Sequence, residues 1–416
     1  MAEVIPFRAL RYHYKRAGDP GTLVCPPYDA VSEERRAELA QINSNNAIVL
    51  ELPVGSDKYE AAKTTLDRML SDGVLFEEKT PCLYYYERTY ILKDETRRIG
   101  GYVARVGLAE QSEGVIIPHE NTLSGPKADR FELLKVTGCS FSPVYSLFED
   151  KTRELAAHTE RLLTEKPEVE FFAEGDLHRF WVISDSKKYL PICKLFENKK
   201  LFIADGHHRY ETALNFRRYL GESGVKVEGD HPANFVMMLL CDIDDPGLTV
   251  LPIYRLLHAL PHFDASAFLK LWSNYFEITK LKHPETAEAE LAKHADRNAF
   301  GFYAGGDDWY LMTIINPIDS TDPLDTLDVS VLHKLVLEPI GIDRENMAAQ
   351  RNLDYTKSAE DLIAGVKSGK YNAGFFMNGT KVAQITAVAG AGEKMPQKST
   401  WFFPKPVTGL YMNKIL

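Results

Sequence analysis

The amino-acid sequence predicts an α+β protein. Segments rich in β-branched and aromatic residues alternate with helix-type segments, but without the regular rhythm of a doubly wound sheet. Two neighbouring β-rich runs, Leu83 to Leu92 and Ile99 to Leu108, predict a hairpin. The length of 416 residues suits two domains, or one large domain with additions. We predict domains at 1–258 and 259–416, although no Gly/Ser linker marks the boundary.

Helix and strand signals follow in order along the chain. Ser32 is a candidate N-cap for a helix to about Gln41, and a second helix over 57–72 ends at Gly73. Further helices are predicted over 129–136, 151–165, 264–274, 285–294, 328–338 and 358–367. Strands are predicted over 115–118, 181–185, 201–204, 235–242, 300–304 and 309–314.

The strand at 201–204 runs directly into Asp205-Gly206-His207-His208-Arg209, and the helix that follows is predicted to stop at Gly221. Backbone N–H groups and the helix dipole at such a junction favour an anion. The glycine allows close approach, the arginine suits phosphate, and the imidazoles can bind phosphate or move protons. A helix cap with unrelated histidines is the alternative. A transition-metal pair is disfavoured because adjacent helical residues point about 100° apart.

Composition excludes several classes of protein. The formal net charge of -10 argues against non-specific nucleic-acid binding. The five cysteines are far apart and form no Cys-x-x-Cys pair, which favours buried, reduced thiols. The N-terminus has no signal-peptide pattern, and the longest apolar stretch, Phe235 to Cys241, is far too short for a membrane span. We therefore expect a cytoplasmic protein without membrane or nucleic-acid partners.

Three further segments carry candidate site residues. The prolines of Pro26-Pro27-Tyr28-Asp29 stiffen the chain, so Asp29 is either a general base or a residue that shapes the turn. The loop with His119-Glu120-Asn121-Thr122, followed by Lys127 and Arg130, mixes groups suited to ligands, although a polar surface loop is the alternative. Gln397-Lys398-Ser399-Thr400 suits an anion but lacks the glycines of a P-loop.

Together and in this order, these segments resemble the family known as domain of unknown function 1015. The match is carried by Pro6-Phe7-Arg8-Ala9-Leu10, Pro26-Pro27-Tyr28-Asp29, Pro118-His119-Glu120 with Thr122, Asp129-Arg130, Ala204 to Tyr210, and Met395 to Thr400 with Phe403-Pro404-Lys405. One departure is Pro252-Ile253-Tyr254-Arg255, because the family usually has Thr-His in the middle of that stretch. The Asp205–Arg209 run also resembles the phosphate-binding motif of the ParB/sulfiredoxin-like superfamily.

The resemblance implies a fold and an activity. It implies a ParB/sulfiredoxin-like phosphate-binding core with a mixed sheet and an N-terminal elaboration in 1–258. An added C-terminal α/β region in 259–416 would return its tail to the site. The implied activity is that of a free serine kinase, which transfers a phosphoryl group from pyrophosphate, ADP or ATP to L-serine and makes O-phosphoserine. Mg²⁺ is the implied cofactor.

Roles for single residues follow from the resemblance and from the chemistry of phosphoryl transfer. Asp29 is the expected base, with Glu120 as the runner-up, because the smaller serine kinases use a Glu early in the chain. Asp205 is the expected Mg²⁺ ligand. Catalytic roles also fall to His207, His208 and Arg209. The expected phosphate-binding residues are Gly206, His207, His208, Arg209, Lys127, Arg130, Lys398, Ser399 and Thr400. The expected acceptor-binding residues are Tyr28, His119, Glu120 and Thr122.

Other functions stay open at this stage. A phosphatase acting on phosphoserine or a similar small ester could use the same pocket, with water in place of serine. A ParB-like nucleotide- or DNA-binding protein is disfavoured by the net charge and by the lack of a helix-turn-helix signal with basic flanks. A non-catalytic binding protein is disfavoured by the density of titratable groups around one glycine turn. The expected partners are small molecules, and a homodimer is left open.

Overall fold

The computed structural model describes residues 1–120, 124–348, 351–396 and 398–416. The chain divides into two compact units. Unit 1 contains the described residues of 1–118, 122–249 and 404–416, and unit 2 contains those of 119–121 and 250–403. Each unit has its own sheet and its own hydrophobic core.

Unit 1 combines strands and helices throughout its length. Its strands are β1 (Val4–Ile5), β2 (Leu10–Tyr12), β3 (Leu75–Glu77), β4 (Leu83–Leu92), β5 (Glu95–Gly107), β6 (Ile116–Ile117), β7 (Cys139–Ser140), β8 (Val144–Phe148), β9 (Val169–Ala173), β10 (Asp176–Ile183), β11 (Leu201–Asp205) and β12 (Phe235–Asp242). Its helices are α1 (Tyr14–Ala17), α2 (Glu33–Ile42), α3 (Ile48–Glu51), α4 (Lys58–Ser71), α5 (Ser124–Thr137), α6 (Glu154–Leu162), α7 (Ser186–Leu195) and α8 (His207–Glu222).

The main sheet of unit 1 is mixed. The strand order is β6-β11-β8-β12-β5-β4-β10-β9, and β1 pairs with β5. The pairs β6–β11 and β8–β12 are parallel, whereas β11–β8, β12–β5, β5–β4, β4–β10 and β10–β9 are antiparallel. This arrangement confirms the predicted α+β class and mixed sheet. It also explains why the sequence lacks the rhythm of a doubly wound fold, in which parallel strands alternate with helices.

The predicted hairpin is present, but its turn is shorter than expected. The strands β4 and β5 are joined by Lys93 and Asp94 alone, and both residues have positive φ, at 51° and 65°. A two-residue turn of this handedness matches the twist of the flanking strands. The polar stretch 95–98, expected to be part of the connection, therefore belongs to β5.

Helices α6, α7 and α8 bury their apolar side chains against this sheet. Leu155 of α6, Ile192 of α7 and Leu214 of α8 share one buried cluster with sheet residues such as Tyr102 and Met238. Burial of this kind is the main favourable term in folding. It fixes the start of α8, which carries the phosphate-type motif, relative to the end of β11.

Unit 2 is an antiparallel sheet with helices. Its strands are β13 (Thr249–Leu251, whose first residue is the last of the unit 1 range), β14 (Tyr254–Leu257), β15 (Phe276–Lys282), β16 (Ala299–Tyr303), β17 (Asp308–Ile314), β18 (Leu353–Thr356), β19 (Ala373–Met377) and β20 (Trp401–Phe403). Six of them form a sheet in the order β15-β17-β16-β19-β14-β18. The helices are α9 (Ala265–Trp272), α10 (Ala287–Ala292), α11 (Asp328–Leu332), α12 (Arg344–Ala348), α13 (Ala359–Lys367) and α14 (Val382–Gly390).

The last residues of the chain belong to unit 1. Strand β21 (Asn413–Lys414) pairs antiparallel with β7, and Met412 and Leu10 form an isolated antiparallel bridge. Cys25 and Thr408 form another, with N–H···O distances of 3.1 and 2.8 Å. The segment 404–416 is therefore bonded at several points to the N-terminal part of the chain.

All five cysteines are buried and unbridged, as predicted. Among the described residues, no helix is both long and apolar enough to span a bilayer.

Candidate active site

The strand–turn–helix junction predicted at 205–209 is present. Strand β11 ends at Asp205, α8 begins at His207, and Gly206 between them has a φ of +92°. A Cβ at Gly206 would lie 2.9 Å from Nε of Arg209, so both the backbone conformation and the space favour glycine. Gly206 has no side chain that could cap the first turn of α8. The backbone N–H groups of this turn carry a partial positive charge, which attracts an anion.

The two histidines of the motif are the first two residues of α8. His207 and His208 are each partly exposed, whereas the next two residues, Arg209 and Tyr210, are buried. The imidazoles therefore lie at the helix start and within reach of solvent, as a residue that binds phosphate or moves a proton requires.

Arg209 faces the protein interior. Its Nη1 donates to the carbonyl oxygen of Pro143, and its Nη2 donates to Oδ2 of Asp205 at 2.5 Å. Burial acts against the charged guanidinium, but Asp205 and Asp29 outweigh it and raise the pKa of Arg209. The side chain therefore orients Asp205 and supplies a fixed positive charge beneath the start of α8.

Asp29 and Asp205 meet at one ammonium group. Nζ of Lys405 lies 2.6 Å from Oδ1 of Asp205 and forms an ion pair with Oδ2 of Asp29. Asp29 lies in the short 3₁₀ turn Tyr28–Ala30, after the extended Pro27. The Asp29 side chain is 40% exposed, compared with 16% for Asp205 and 12% for Lys405. The predicted base and the predicted metal ligand therefore lie side by side, with Asp29 the more accessible.

Arg130 supports the turn that carries Asp29. Its guanidinium lies 4.4 Å from the ring centroid of Tyr28, donates to Oδ2 of Asp129 from Nε and Nη2, and donates to the backbone oxygen of Glu51 at 2.6 Å. Burial raises the pKa of Tyr28 to about 12, with Arg209 and Arg130 opposing the rise and Asp29 adding to it. Arg130 is buried, so the structure gives this predicted phosphate ligand a supporting position.

Lys127 also pairs within unit 1. Its Nζ donates to Oε2 of Glu211 at 2.8 Å, which joins α5 to the second turn of α8. Both side chains are about one-third exposed, at 30% and 35%. Lys127 is thus next to the helix that carries the motif.

The other predicted residues lie in unit 2. Nε2 of His119 and Oγ1 of Thr400 are hydrogen-bonded at 2.9 Å, and Oε1 of Glu120 accepts from the backbone N–H of Lys398 at 3.1 Å. Ser399 is buried and donates to the carbonyl oxygen of Pro396. These residues, far apart in sequence, form one cluster. Thr122 and Gln397 lie outside the described residues.

Arg255 lies behind that cluster. It belongs to the stretch where the sequence departs from the family pattern, it is buried, and its Nη2 donates to the backbone oxygen of Lys398 at 3.1 Å. Burial lowers the pKa of Arg255 to about 10, with Tyr355 and Glu120 opposing the drop. Arg255 therefore supports the Lys398 backbone, which has a positive φ of 59°.

A magnesium ion that arrives with a phosphate would be held at Asp205, whose Oδ1 pairs with Lys405 and whose Oδ2 pairs with Arg209. Mg²⁺ is usually held by one or two carboxylates together with substrate phosphates and water. Across the described ranges, no group of three or more His, Cys, Asp or Glu side chains is arranged to hold a metal without such help. Asp205 would supply part of the coordination and the donor the rest.

Comparison with known proteins identifies the family. A model described as protein of unknown function (DUF1015) matches residues 4–330, which is more than three quarters of the chain. The chain belongs to the DUF1015 family. The resemblance found in the sequence motifs is thereby confirmed. The search of curated proteins gave no significant match.

Three solved structures are similar to this DUF1015 protein. A conserved hypothetical protein from Pyrococcus furiosus is 16% identical, with a TM-score of 0.34, over 69% of this chain and 87% of its own. A free serine kinase in complex with AMP is 13% identical, with a TM-score of 0.36, over 69% and 83%. SbnI with C-terminal truncation from Staphylococcus aureus is 11% identical, with a TM-score of 0.35, over 75% and 87%.

Two residues of the site were not singled out from the sequence. Lys405 joins Asp29 and Asp205, and its only signal was the Phe403-Pro404-Lys405 stretch in the family match. Glu51 is buried, accepts from Oγ of Ser142 at 2.8 Å and lies 3.7 Å from Nη1 of Arg130. No local pattern around Glu51 distinguishes it from an ordinary surface acid on a helix.

Proposed function

We propose that this DUF1015 protein is a phosphotransferase that phosphorylates the hydroxyl group of a small molecule, with free L-serine as the acceptor. One observation carries the proposal: a solvent-accessible carboxylate, Asp29, lies beside the anion-attracting start of α8, and Lys405 contacts both Asp29 and Asp205. Phosphoryl transfer needs a phosphate cradle, charge neutralisation and a base for the incoming hydroxyl. The described residues of unit 1 can supply all three.

The donor phosphate would bind at the start of α8. The backbone N–H of Gly206 and the imidazoles of His207 and His208 would bind its oxygens. Arg209 would neutralise the developing charge from its buried position and keep Asp205 in place. Lys127 and Arg130 remain candidates for a second phosphate or for the acceptor's carboxylate, although Arg130 is already bonded to Asp129 and Glu51.

The transfer step would use Asp29 as the base. The serine hydroxyl oxygen attacks the terminal phosphorus of the donor, and the bond from that phosphorus to the bridging oxygen breaks. Its electron pair leaves with the departing phosphate, while the hydroxyl proton passes to the Asp29 carboxylate. Mg²⁺ held by Asp205 would neutralise the donor's charge. Tyr28 would lie beside the acceptor.

The other predicted site residues keep their predicted roles within this proposal. Glu120 remains the alternative base, and His119 with Thr122 remains a candidate for binding the acceptor. Lys398, Ser399 and Thr400 remain candidates for binding phosphate. The domain division at 1–258 and 259–416 and a cytoplasmic location also remain predictions.

A direct assay tests the proposal. The purified protein is incubated with L-serine, Mg²⁺ and, separately, pyrophosphate, ADP or ATP, and O-phosphoserine is measured by mass spectrometry. His208→Ala and Asp29→Asn are compared with His158→Ala, a histidine of α6 outside the site. We expect product with one donor, loss of product in the first two variants, and normal activity in the third.

Two other outcomes would change the proposal. Product that survives Asp29→Asn would keep the reaction but overturn the choice of base, and Glu120→Gln would be tested next. No product with any donor would overturn the serine kinase proposal. Release of phosphate from phosphoserine would then test the phosphatase alternative.

A further inference from the structure

Lys405, in the C-terminal segment 404–416, contacts the two acids of the candidate site, Asp29 and Asp205. Its position is fixed from several sides: the N–H groups of Cys25 and Thr408 donate to each other's carbonyl oxygens, and Nη1 of Arg88 donates to the backbone oxygen of Lys405 at 2.7 Å. Arg88 is itself ion-paired with Asp176. The bridge between residues 25 and 408 joins the segment that carries Lys405 to the segment that leads to Asp29, and Nζ of Lys405 contacts Oδ2 of Asp29.

The environment of the Lys405 ammonium is unusual for a lysine. Its side chain is only 12% exposed, and burying an ammonium costs several kcal/mol unless the group is paired. Ion pairs with Asp205 and Asp29 offset this cost, and through them Lys405 holds two carboxylates close to each other.

The two carboxylates depend on Lys405 to different degrees. Asp205 is also held by Arg209 at 2.5 Å. Among the described residues, Asp29 forms an ion pair with Lys405 and with no other cation. Asp29 is also in a short exposed turn, so its side chain has little else to fix its rotamer. Removal of the ammonium is therefore expected to release Asp29 and to leave Asp205 almost unchanged.

We propose that Lys405 is a positioning residue of the transfer reaction, which holds the Asp29 carboxylate next to Asp205 and the start of α8. The proposal rests on the proposed function and extends it to the C-terminal segment, which becomes part of the active site. Misplacing a catalytic group by about 1 Å can cost about 100-fold in rate. The effect is expected in kcat, because Arg209 still holds Asp205 at the start of α8 when the Lys405 ammonium is removed.

The kinetic test compares Lys405→Met, Lys405→Arg and Lys405→Ala with Lys414→Met, an exposed lysine of the same segment. We expect Lys405→Met to lower kcat about 100-fold with a donor KM within about 3-fold of wild type. Lys405→Arg should recover part of the rate, and Lys414→Met should behave as wild type. Methylammonium should raise the rate of Lys405→Ala, whereas tetramethylammonium, which has no N–H group, should not.

Two kinetic results would overturn the proposal. One is a wild-type kcat in Lys405→Met. The other is a loss that appears only in the donor KM, which would make Lys405 a phosphate ligand and not a positioning residue. If Lys405→Met does not fold, the comparison of Lys405→Arg with Lys405→Gln carries the same test.

A second readout is independent of activity. The urea midpoints of Lys405→Met, Asp29→Asn and the double variant form a cycle, and we expect the double variant to be more stable than the sum of the single losses predicts. If the losses of stability in the two single variants are additive, Lys405 and Asp29 do not interact, and the proposal is overturned. If wild type makes no O-phosphoserine, the proposed function fails, while the cycle still decides whether Lys405 holds Asp29.

Discussion

The guanidinium of Arg130 lies over the ring of Tyr28, 4.4 Å from its centroid, while its donors bind Asp129 and the backbone of Glu51. This one buried cation therefore connects α5 to the end of α3 and to the turn that carries Asp29. A guanidinium suits this role because it can stack with its face and donate with its edge.

Arg130→Met is expected to destabilise the protein by about 3–5 kcal/mol, because it leaves the buried carboxylate of Glu51 without its nearest cation. Urea unfolding of Arg130→Met and Lys58→Met checks this. Lys58 also pairs with Asp129, at 2.6 Å, but its side chain is 35% exposed, so its loss should cost about 1 kcal/mol or less. Equal losses in the two variants would contradict the role given to Arg130.

The acid sensitivity of the same cluster can be predicted from Asp129. Burial raises the pKa of Asp129, but hydrogen bonds from Lys58 and Arg130 outweigh it and lower the pKa from 3.8 to about 2. A lowered folded-state pKa stabilises the protein above pH 4, and this contribution is lost as the pH falls towards 2. We expect the urea midpoint of wild type to drop more between pH 4 and pH 2.5 than that of Asp129→Asn. The same drop in both proteins would assign the acid sensitivity to other carboxylates.

What could be predicted from the sequence follows from how local each signal is. The junction at Asp205–Arg209 was predictable because a strand run, a glycine and a helix-type segment lie within a few residues. The end of α8 could not be predicted in the same way. The helix continues through Gly221 to Glu222, and Gly224, with a φ of +83°, follows it. Either glycine can end a helix, and packing of the last turn decides between them.

The contacts between the site residues could not be predicted from the sequence, for a different reason. Lys405 and Asp29 are 376 positions apart, and their contact exists only because the end of the chain is bonded to its beginning. Arg130 was predicted as a phosphate ligand because its residue type suits phosphate. Its contacts with Tyr28 and Glu51 join segments far apart in the chain, and no periodic pattern predicts them.

Gly206→Ala is expected to be far more harmful than the matched change Gly224→Ala. Both glycines have positive φ, at +92° and +83°, so each substitution pays a backbone cost of about 1–2 kcal/mol. Only at Gly206 would the new Cβ meet another group, the guanidinium of Arg209 at 2.9 Å, whereas nothing lies within 4 Å at Gly224. Urea unfolding measures the difference in stability, and the kinase assay measures the loss of product. Equal activity in both variants would remove the start of α8 from the proposed site.

The dependence on a divalent cation is expected to pass through Asp205. If the donor binds with Mg²⁺, chelation by EDTA should abolish transfer, and added Mg²⁺ or Mn²⁺ should restore it. Asp205→Asn keeps the shape of the side chain but removes its charge, so we expect a variant that needs a higher Mg²⁺ concentration for half-maximal rate. Because Arg209 and Lys405 both pair with Asp205, the variant is also expected to lose stability, which urea unfolding measures separately.

Glu211→Gln on α8, whose carboxylate pairs with Lys127 instead, is the matched control and should keep the wild-type Mg²⁺ requirement. Full activity in EDTA would show that cations of the chain such as Arg209 neutralise the donor without a metal.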